Sequence, residues 1–543
     1  MSAVRETPGA CFIGVDVGTG SARAGVFDAT GTLLASARRP ITIWREAGDI
    51  VEQSADQIWR AVAESVREAV ALSGVSPSQI AGIGFDATCS LVAVAADGSP
   101  VTVSPSGDPA RNVIVWMDHR ASAEAEEINA GGHEVLRYVG GVISPEMETP
   151  KLLWLKRHLP QSFAAAAHFF DLADYLSWRA SGSLARSTCT LTCKWTYLAH
   201  ERRWDADYFT AIGLGAFVEE GFGRIGTEVV PPGTALGDGL HADAADDLGL
   251  LPGTAVAASL IDAHAGGVGT LGARIVGADA EPGTRLAYIF GTSACSMAST
   301  QQPVFVSGVW GPYHSAMVPG LWLNEGGQSA AGAALDHLVT LHPAGTEIAA
   351  LAEADGLSVV EWLERRAMAA ADPLSGAVHL AGGIHVVPEF LGNRSPFADP
   401  EARAVIAGLG LGRDHASLVA LYVAGLTGIG YGLRQLLERF AEQGISLSHI
   451  VASGGAARSP LICQLLADAT KLPVAVPDSP EPVLLGAAML GTVAAGRGTL
   501  REAMTAMSGG SRLFSPAGAT VAAIHQDRYR AFGILQDAAR RIR

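Results

Sequence analysis

Two segments of the chain pair a glycine with a hydroxyl residue at the end of an apolar run: Asp16-Val-Gly18-Thr19-Gly20-Ser21 and Gly291-Thr292-Ser293. Glycine lets backbone approach a polyphosphate, and exposed N–H groups with Thr or Ser hydroxyls can bond its oxygens. Asp16 leads the first turn, where a carboxylate can hold magnesium directly or through water. One such turn is usually only a turn; two in matching places, one led by Asp, suggest phosphate chemistry. No Gly-x-x-x-x-Gly-Lys-Ser/Thr run is present, so this is not a P-loop. Arg23 stands where a dinucleotide fingerprint needs its third glycine, which counts against a Rossmann site.

Three further segments carry candidate chemistry. Ser259-Leu-Ile-Asp262-Ala-His264-Ala-Gly-Gly267 is an apolar stretch ending in a carboxylate. Asp262 reads equally as the floor of a cleft or as a helix N-cap. Val451-Ala-Ser-Gly454-Gly455-Ala-Ala-Arg458-Ser459-Pro460 is a glycine turn entering a helix, suited to a purine and ribose or to a tight strand–helix connection. Trp116-Met-Asp118-His119-Arg120 offers Asp118 to a polyol, or forms a surface ion pair. Cys189 and Cys193 lie one helical turn apart, but no second pair completes a zinc set. The histidines show no ligand spacing. Trp154, Trp178, Trp195 and Trp204 read as core or interface, compatible with a homodimer.

These residues need elements to position them. Ile13–Asp16, Ala24–Phe27 and Leu33–Ala37 read as strands joined by hairpins. Ser54-Ala-Asp-Gln57 has the form of a capping box, followed by Ile58, Val62, Val66 and Val70 at helical spacing. Ile80–Phe85 returns to strand. Leu286–Ser293 mirrors Phe12–Thr19, and a helical region over 416–443 precedes another strand and glycine turn at Ile450. The fold class is α/β, as two similar halves facing across a cleft, with a crossover in 272–283. The segment 343–374 reads as helical.

Length and composition set the bounds. At 543 residues, two domains are expected. A hydrophobic content of 48% with 17% charged residues describes a folded protein. The net charge of −16 argues against a nucleic-acid partner. Glu6 and Pro8 precede any apolar run, so no signal peptide is expected. The apolar stretch Leu418–Leu433, interrupted by Gly425, Gly428, Gly430 and Gly432, reads as a buried helix, with no membrane partner. Six scattered cysteines suit a reducing compartment, and the expected location is cytoplasmic.

Taken together, the motifs resemble the FGGY carbohydrate kinases, relatives of actin and the hexokinases. The resemblance runs over nearly the whole chain: Asp16-x-Gly18-Thr19, Trp116-Met-Asp118-x-Arg120, Asp262-Ala-His264, Gly291-Thr292-Ser293, Asn324-Glu325-Gly326-Gly327-Gln328, Gly454-Gly455-Ala456 and Phe390–Pro400. Gly84–Ser90, Tyr138–Val142, Pro150–Lys156, Cys193–Tyr197 and Gly308–Tyr313 resemble the D-ribulokinase branch, and L-ribulokinases share part of this set. The resemblance implies two actin/hexokinase-like (ribonuclease H-like) domains, 1–274 for sugar and 275–543 for nucleotide, and ATP with Mg2+. It implies Asp262 as catalytic base and magnesium neighbour and Asp16 as the residue that organises the metal. Gly18, Thr19, Ser21, Gly291, Thr292, Gly332, Asp336, Gly455 and Ser459 would meet the nucleotide; Asp336 and Ser459 stand where some relatives carry amides. Cys89, Lys194 and Glu325, with Asp262, would meet the sugar, and Asp118 is added on chemical grounds. The expected reaction is phosphorylation of D-ribulose at C5. L-ribulose, ribitol and D-arabinitol are rival substrates, and a non-catalytic, actin-like nucleotide-binding protein is the rival class.

Overall fold

The computed structural model describes residues 9–279 and 281–543; Glu6 and Pro8 lie outside them. The antiparallel meander Cys11–Gly18, Ser21–Phe27 and Leu33–Pro40 forms because the first two strands are largely apolar and buried, the third is a half-exposed edge strand, and the turns are short. Ile80–Ala87 then pairs parallel with Cys11–Gly18, and Ala255–Val256 and Leu260–Ile261 pair parallel with Ile80–Ala87. The helix Ala55–Ser73 makes that parallel return possible. Ser54 caps it by accepting from the Gln57 N–H, and Ile58, Val62, Val66 and Val70 are buried on its inner side. The backward bond that would complete a capping box is not part of this cap.

The same plan recurs. Arg285–Phe290 pairs antiparallel with Ala294–Thr300, which pairs antiparallel with Trp322–Gln328. On its other side Arg285–Phe290 meets His449–Ser453 in parallel, and that strand meets Val474–Pro477. The mirrored segments read from the sequence therefore occupy equivalent central places in two sheets. The crossover helix of this half is His415–Glu442. It is long and apolar enough to cross a membrane, but 78% of its most apolar stretch is buried inside the protein. The segment 343–374 holds the helices Gly345–Ala354 and Val359–Ala369, as expected.

A smaller antiparallel sheet is inserted in the first half, with Trp44–Glu46, Ile50–Gln53, Val113–Ile114, Leu91–Val94 and His168–Asp171 as its strands. The two large sheets do not have independent cores. The helix Pro482–Ala494, from the second half, lies on strands Cys11–Gly18 and Ile80–Ala87 of the first. Glycine makes this approach possible: a Cβ on Gly14 would lie 1.9 Å from the Leu484 carbonyl oxygen, and one on Gly84 would lie 2.0 Å from that of Ala487. One buried cluster accordingly runs from Phe12 and Leu260 through Met317 to Leu484 and Met504.

Candidate active site

Parallel pairing brings carboxylates together at the strand ends. Asp16 and Asp86 are register partners on adjacent strands, and Leu260, two residues before Asp262, is the partner of Asp86 on its other side. Asp262 opens the helix Asp262–Leu271, and its Oδ1 accepts the Ala263 N–H at 2.7 Å. Of the two readings of this residue, the cleft one holds: Asp262 lines the cleft, while the N-cap of its helix is Ile261 and Asp262 is the first helical residue, making no capping bond to the N–H groups further along. Burial, and then the charge of Asp16, pushes its carboxyl up to about 6. Asp86 is completely buried, and burial with its two neighbours raises it well above the carboxylate range. Neither Asp86 oxygen has a hydrogen-bond partner among the described residues.

Arg23 binds this cluster. Its Nε donates to Asp16 Oδ2 at 2.8 Å and its Nη2 contacts the same oxygen. Its Nη1 reaches Glu481 Oε2 at 2.8 Å, just before the helix Pro482–Ala494. The guanidinium thus joins the strand that leads into the Gly18-Thr19 turn to the second half of the chain. Thr19 is also fixed: its hydroxyl accepts from Trp116 Nε1 at 3.0 Å, and its carbonyl accepts from Gln53 Nε2 at 2.7 Å.

A cavity of about 340 Å³ opens beside Asp262, lined by Asp16, Gly18 and Thr19 on one side and by Cys89, Lys194 and Glu325 on another. Lys194 ends the short helix Thr188–Lys194, and its Nζ lies 4.8 Å from the Trp310 ring centre. Burial would lower its pKa, but Cys89, Glu325 and Glu146 outweigh burial and raise it. Glu325 accepts from Arg394 at 2.8 Å and lies 3.3 Å from His264 Nε2. Burial alone would raise Glu325, yet the His264 hydrogen bond and the Arg394 charge hold it down at about 2. A second cavity of about 320 Å³ shares Arg23, Ile289 and Val483 with the first and is lined by Gly454, Gly455 and Arg458. Gly332 N–H donates to the Gly291 carbonyl at 3.0 Å, while the Ala331 and Ala333 N–H groups donate to the Thr292 carbonyl. The turn 291–292 and the start of the helix Gly332–Leu341 therefore form one surface. Asp336 lies one turn along that helix and is exposed.

Three expectations need correction. Asp118 does not face the cleft. It is fully buried; Arg120 donates to both its oxygens at 2.7–3.0 Å and the Val51 N–H donates to Oδ2 at 2.6 Å. Neither oxygen is left to meet a sugar, and its role is to hold the small inserted sheet. Ser459 is the N-cap of the helix Pro460–Thr470, its hydroxyl accepting the Ile462 N–H, and it does not line the second cavity. The third correction is Ser21, which is buried in its strand and lines neither cavity. The four tryptophans follow the core side of their reading: Trp195 is fully buried and Trp204 is 8% exposed, while Trp154 beneath Arg120 and Trp178 against Phe170 are half-buried.

Sequence reasoning missed Arg23, Asp86, Glu146, Trp310 and Arg394. Arg394 lies in a segment singled out for its resemblance, and Asp86 is in another, but only the fold brings Arg394 to the cleft wall and Asp86 in behind Asp16. Cys189 and Cys193 do gain a third group. Their sulfurs and a His264 ring nitrogen lie within 4.8 Å of one another, all buried. Burial would raise the Cys189 thiol, but the Cys193 thiol and His264 outweigh it and lower it, while His264 is raised.

Two sheets of one topology, with carboxylates and glycine turns meeting in the cleft between them, define a two-lobed phosphotransferase of the actin and hexokinase class. The model of the FGGY family of carbohydrate kinases, N-terminal domain, matches residues 11–269, and that of its C-terminal domain matches 286–495. The chain belongs to the FGGY family and is a carbohydrate kinase. It is 47% identical over 517 residues to the human FGGY carbohydrate kinase domain-containing protein, covering 94% of this chain and 93% of that one. It is 39% identical over 511 residues to a D-ribulokinase of Saccharomyces cerevisiae, covering 89% of this chain and 72% of the yeast protein. Among solved structures, the xylulose kinase from Rhodospirillum rubrum superposes with a TM-score of 0.80 at 22% identity, covering 98% of this chain and 99% of that one, which speaks to the fold.

Proposed function

We propose that this kinase transfers the γ-phosphoryl group of ATP to a ketopentose, D-ribulose, giving D-ribulose 5-phosphate, with Asp262 as general base. The observation that carries this reading is Asp262 on the wall of a cavity whose other residues suit a small neutral polyol. Lys194 and Arg394 there are matched by Glu325 and Glu146. That balance in the number of charges supports a neutral polyhydroxyl ligand over a sugar acid, whose carboxylate would leave the cavity with a net negative excess. Names of relatives support the pentulose: the yeast protein above, and a relative from Geobacillus thermodenitrificans called ribulokinase at 30% identity.

Phosphoryl transfer is loose, so the chain has mainly to position reactants and balance charge. Lys194 would donate to sugar hydroxyls and Glu325, held ionised, would accept from them. Asp262 would take the proton of the attacking hydroxyl late, as the new bond forms. The turns at Gly18-Thr19 and Gly291-Thr292 would offer N–H and hydroxyl donors to the phosphates, with Gly332, Gly455 and the exposed Asp336 toward the nucleoside. The donor set also fits magnesium. Asp16 and Asp262 face the cleft, and the orphaned oxygens of Asp86 add a third carboxylate behind them. Bound there, the ion would neutralise charge on the transferred group. The division at 274/275 belongs to the same proposal, the first domain holding the sugar and the second the nucleotide.

The test is ADP release with Mg-ATP and D-ribulose, L-ribulose, D-xylulose, ribitol, D-arabinitol or glycerol. Highest kcat/KM on D-ribulose supports the substrate. A clear preference for another sugar replaces it, because hydroxyl stereochemistry decides which buried polar groups go unpaired.

A further inference from the structure

We propose that Cys189 is a positioning residue that sets Asp262 and Glu325 relative to one another. Its sulfur is fully buried and accepts the Ile261 N–H at 3.4 Å, immediately before Asp262. The same sulfur lies 3.0 Å from His264 Nδ1, and the opposite ring nitrogen lies 3.3 Å from Glu325 Oε2. The Cys193 sulfur, one turn along the helix, lies within 4.8 Å of this sulfur. Asp262 follows a strand of the first sheet, whereas Glu325 lies in Trp322–Gln328 of the second. One atom therefore ties the backbone entering the base to the ring that orients a sugar-facing carboxylate. The helix that carries Cys189 also ends in Lys194, so three polar groups of the cavity share this anchor.

Sulfur suits the role because it accepts long hydrogen bonds in several directions. Alanine would leave the buried ring nitrogen without its partner, and that cost falls on ring orientation. Serine keeps an acceptor but has a shorter reach. The inference rests on the reading of Asp262 and Glu325 as serving sugar phosphorylation.

The test compares C189A and C189S in the wild-type and E325Q backgrounds, using the best sugar of the panel. C189A should lower sugar kcat/KM about 10–100-fold with ATP KM changed less than about twofold, and C189S should recover part of the loss. In E325Q the C189A effect should shrink below about threefold, since contacting residues on one path are not additive. Histidine 15N spectra without sugar should show the His264 Nδ1 resonance displaced in C189A, a readout that survives if the substrate reading fails. Equal effects of C189A in both backgrounds, or an unmoved ring resonance, would overturn the proposal. So would about one equivalent of zinc or copper in the purified protein that C189A loses, since the sulfur would then be a metal ligand.

Discussion

Gly269 and Gly486 face each other where the helices Asp262–Leu271 and Pro482–Ala494 cross. A Cβ on Gly269 would lie 1.9 Å from the Pro482 carbonyl oxygen, and one on Gly486 would lie 1.9 Å from that of Ala265. The helix that begins with the proposed base is therefore packed backbone to backbone against the helix that enters from the second half. Either Gly→Ala change must push the pair apart, costing about 1–3 kcal/mol by overpacking. We expect lower Tm together with lower kcat in G486A, read by calorimetry and ADP release. Normal kcat at temperatures where the variant is folded would show that this crossing does not set the position of Asp262.

The raised carboxyl of Asp262 has a pH consequence. A base acts only when ionised, and a raised pKa means it takes up its proton at higher pH. Activity should be full above the shifted value and fall tenfold per unit below it. The acid limb of kcat/KM is expected near pH 6, where Asp262 titrates. A limb near pH 4, the range of an ordinary aspartate, would contradict the crowding by Asp16 and burial.

Removing the charge separates catalysis from stability. D262N should lose at least about 10³-fold in kcat while still binding ATP. It should also melt higher than the wild type, since one of three crowded carboxyls becomes neutral. Retained turnover would remove Asp262 from the reaction, and a lower Tm would mean its charge is satisfied in the fold.

Asp118 gives the opposite pattern. D118N removes one of the two carboxylates that pair with Arg120 inside the protein, leaving Glu52, whose Oε1 accepts from Arg120 Nη2 at 2.8 Å. Breaking a buried pair from one side costs about 3–5 kcal/mol. A marked drop in Tm with sugar KM changed less than about twofold is expected in the folded enzyme. A large rise in sugar KM without loss of stability would return Asp118 to the cleft.

Much of the site was legible because it is local. A glycine followed by a hydroxyl residue at a strand end forms its turn from neighbouring residues alone, and both such turns stand beside the cleft. Lys194, Glu325 and Cys89 were reached through resemblance and do line the cavity. Asp118 was misjudged and Asp86 missed for one reason. A carboxylate in a strand or turn looks the same in sequence whether it faces a ligand, an arginine or another carboxylate. Ser459 shows the same ambiguity, since its capping bond and a nucleotide contact both suit a residue before a helix.

The amino-acid sequence by itself determined the family, the α/β class, the doubled strand plan and the turns that could carry phosphates, because these depend on periodicity and neighbouring residue types. Tertiary structure alone decided that Arg23 spans to Glu481, that Arg394 reaches Glu325, and that Cys189 meets His264. Those partners are separated by long stretches of chain. Their meeting depends on how closely two sheets approach through a helix crossing made of glycine, which no local pattern encodes.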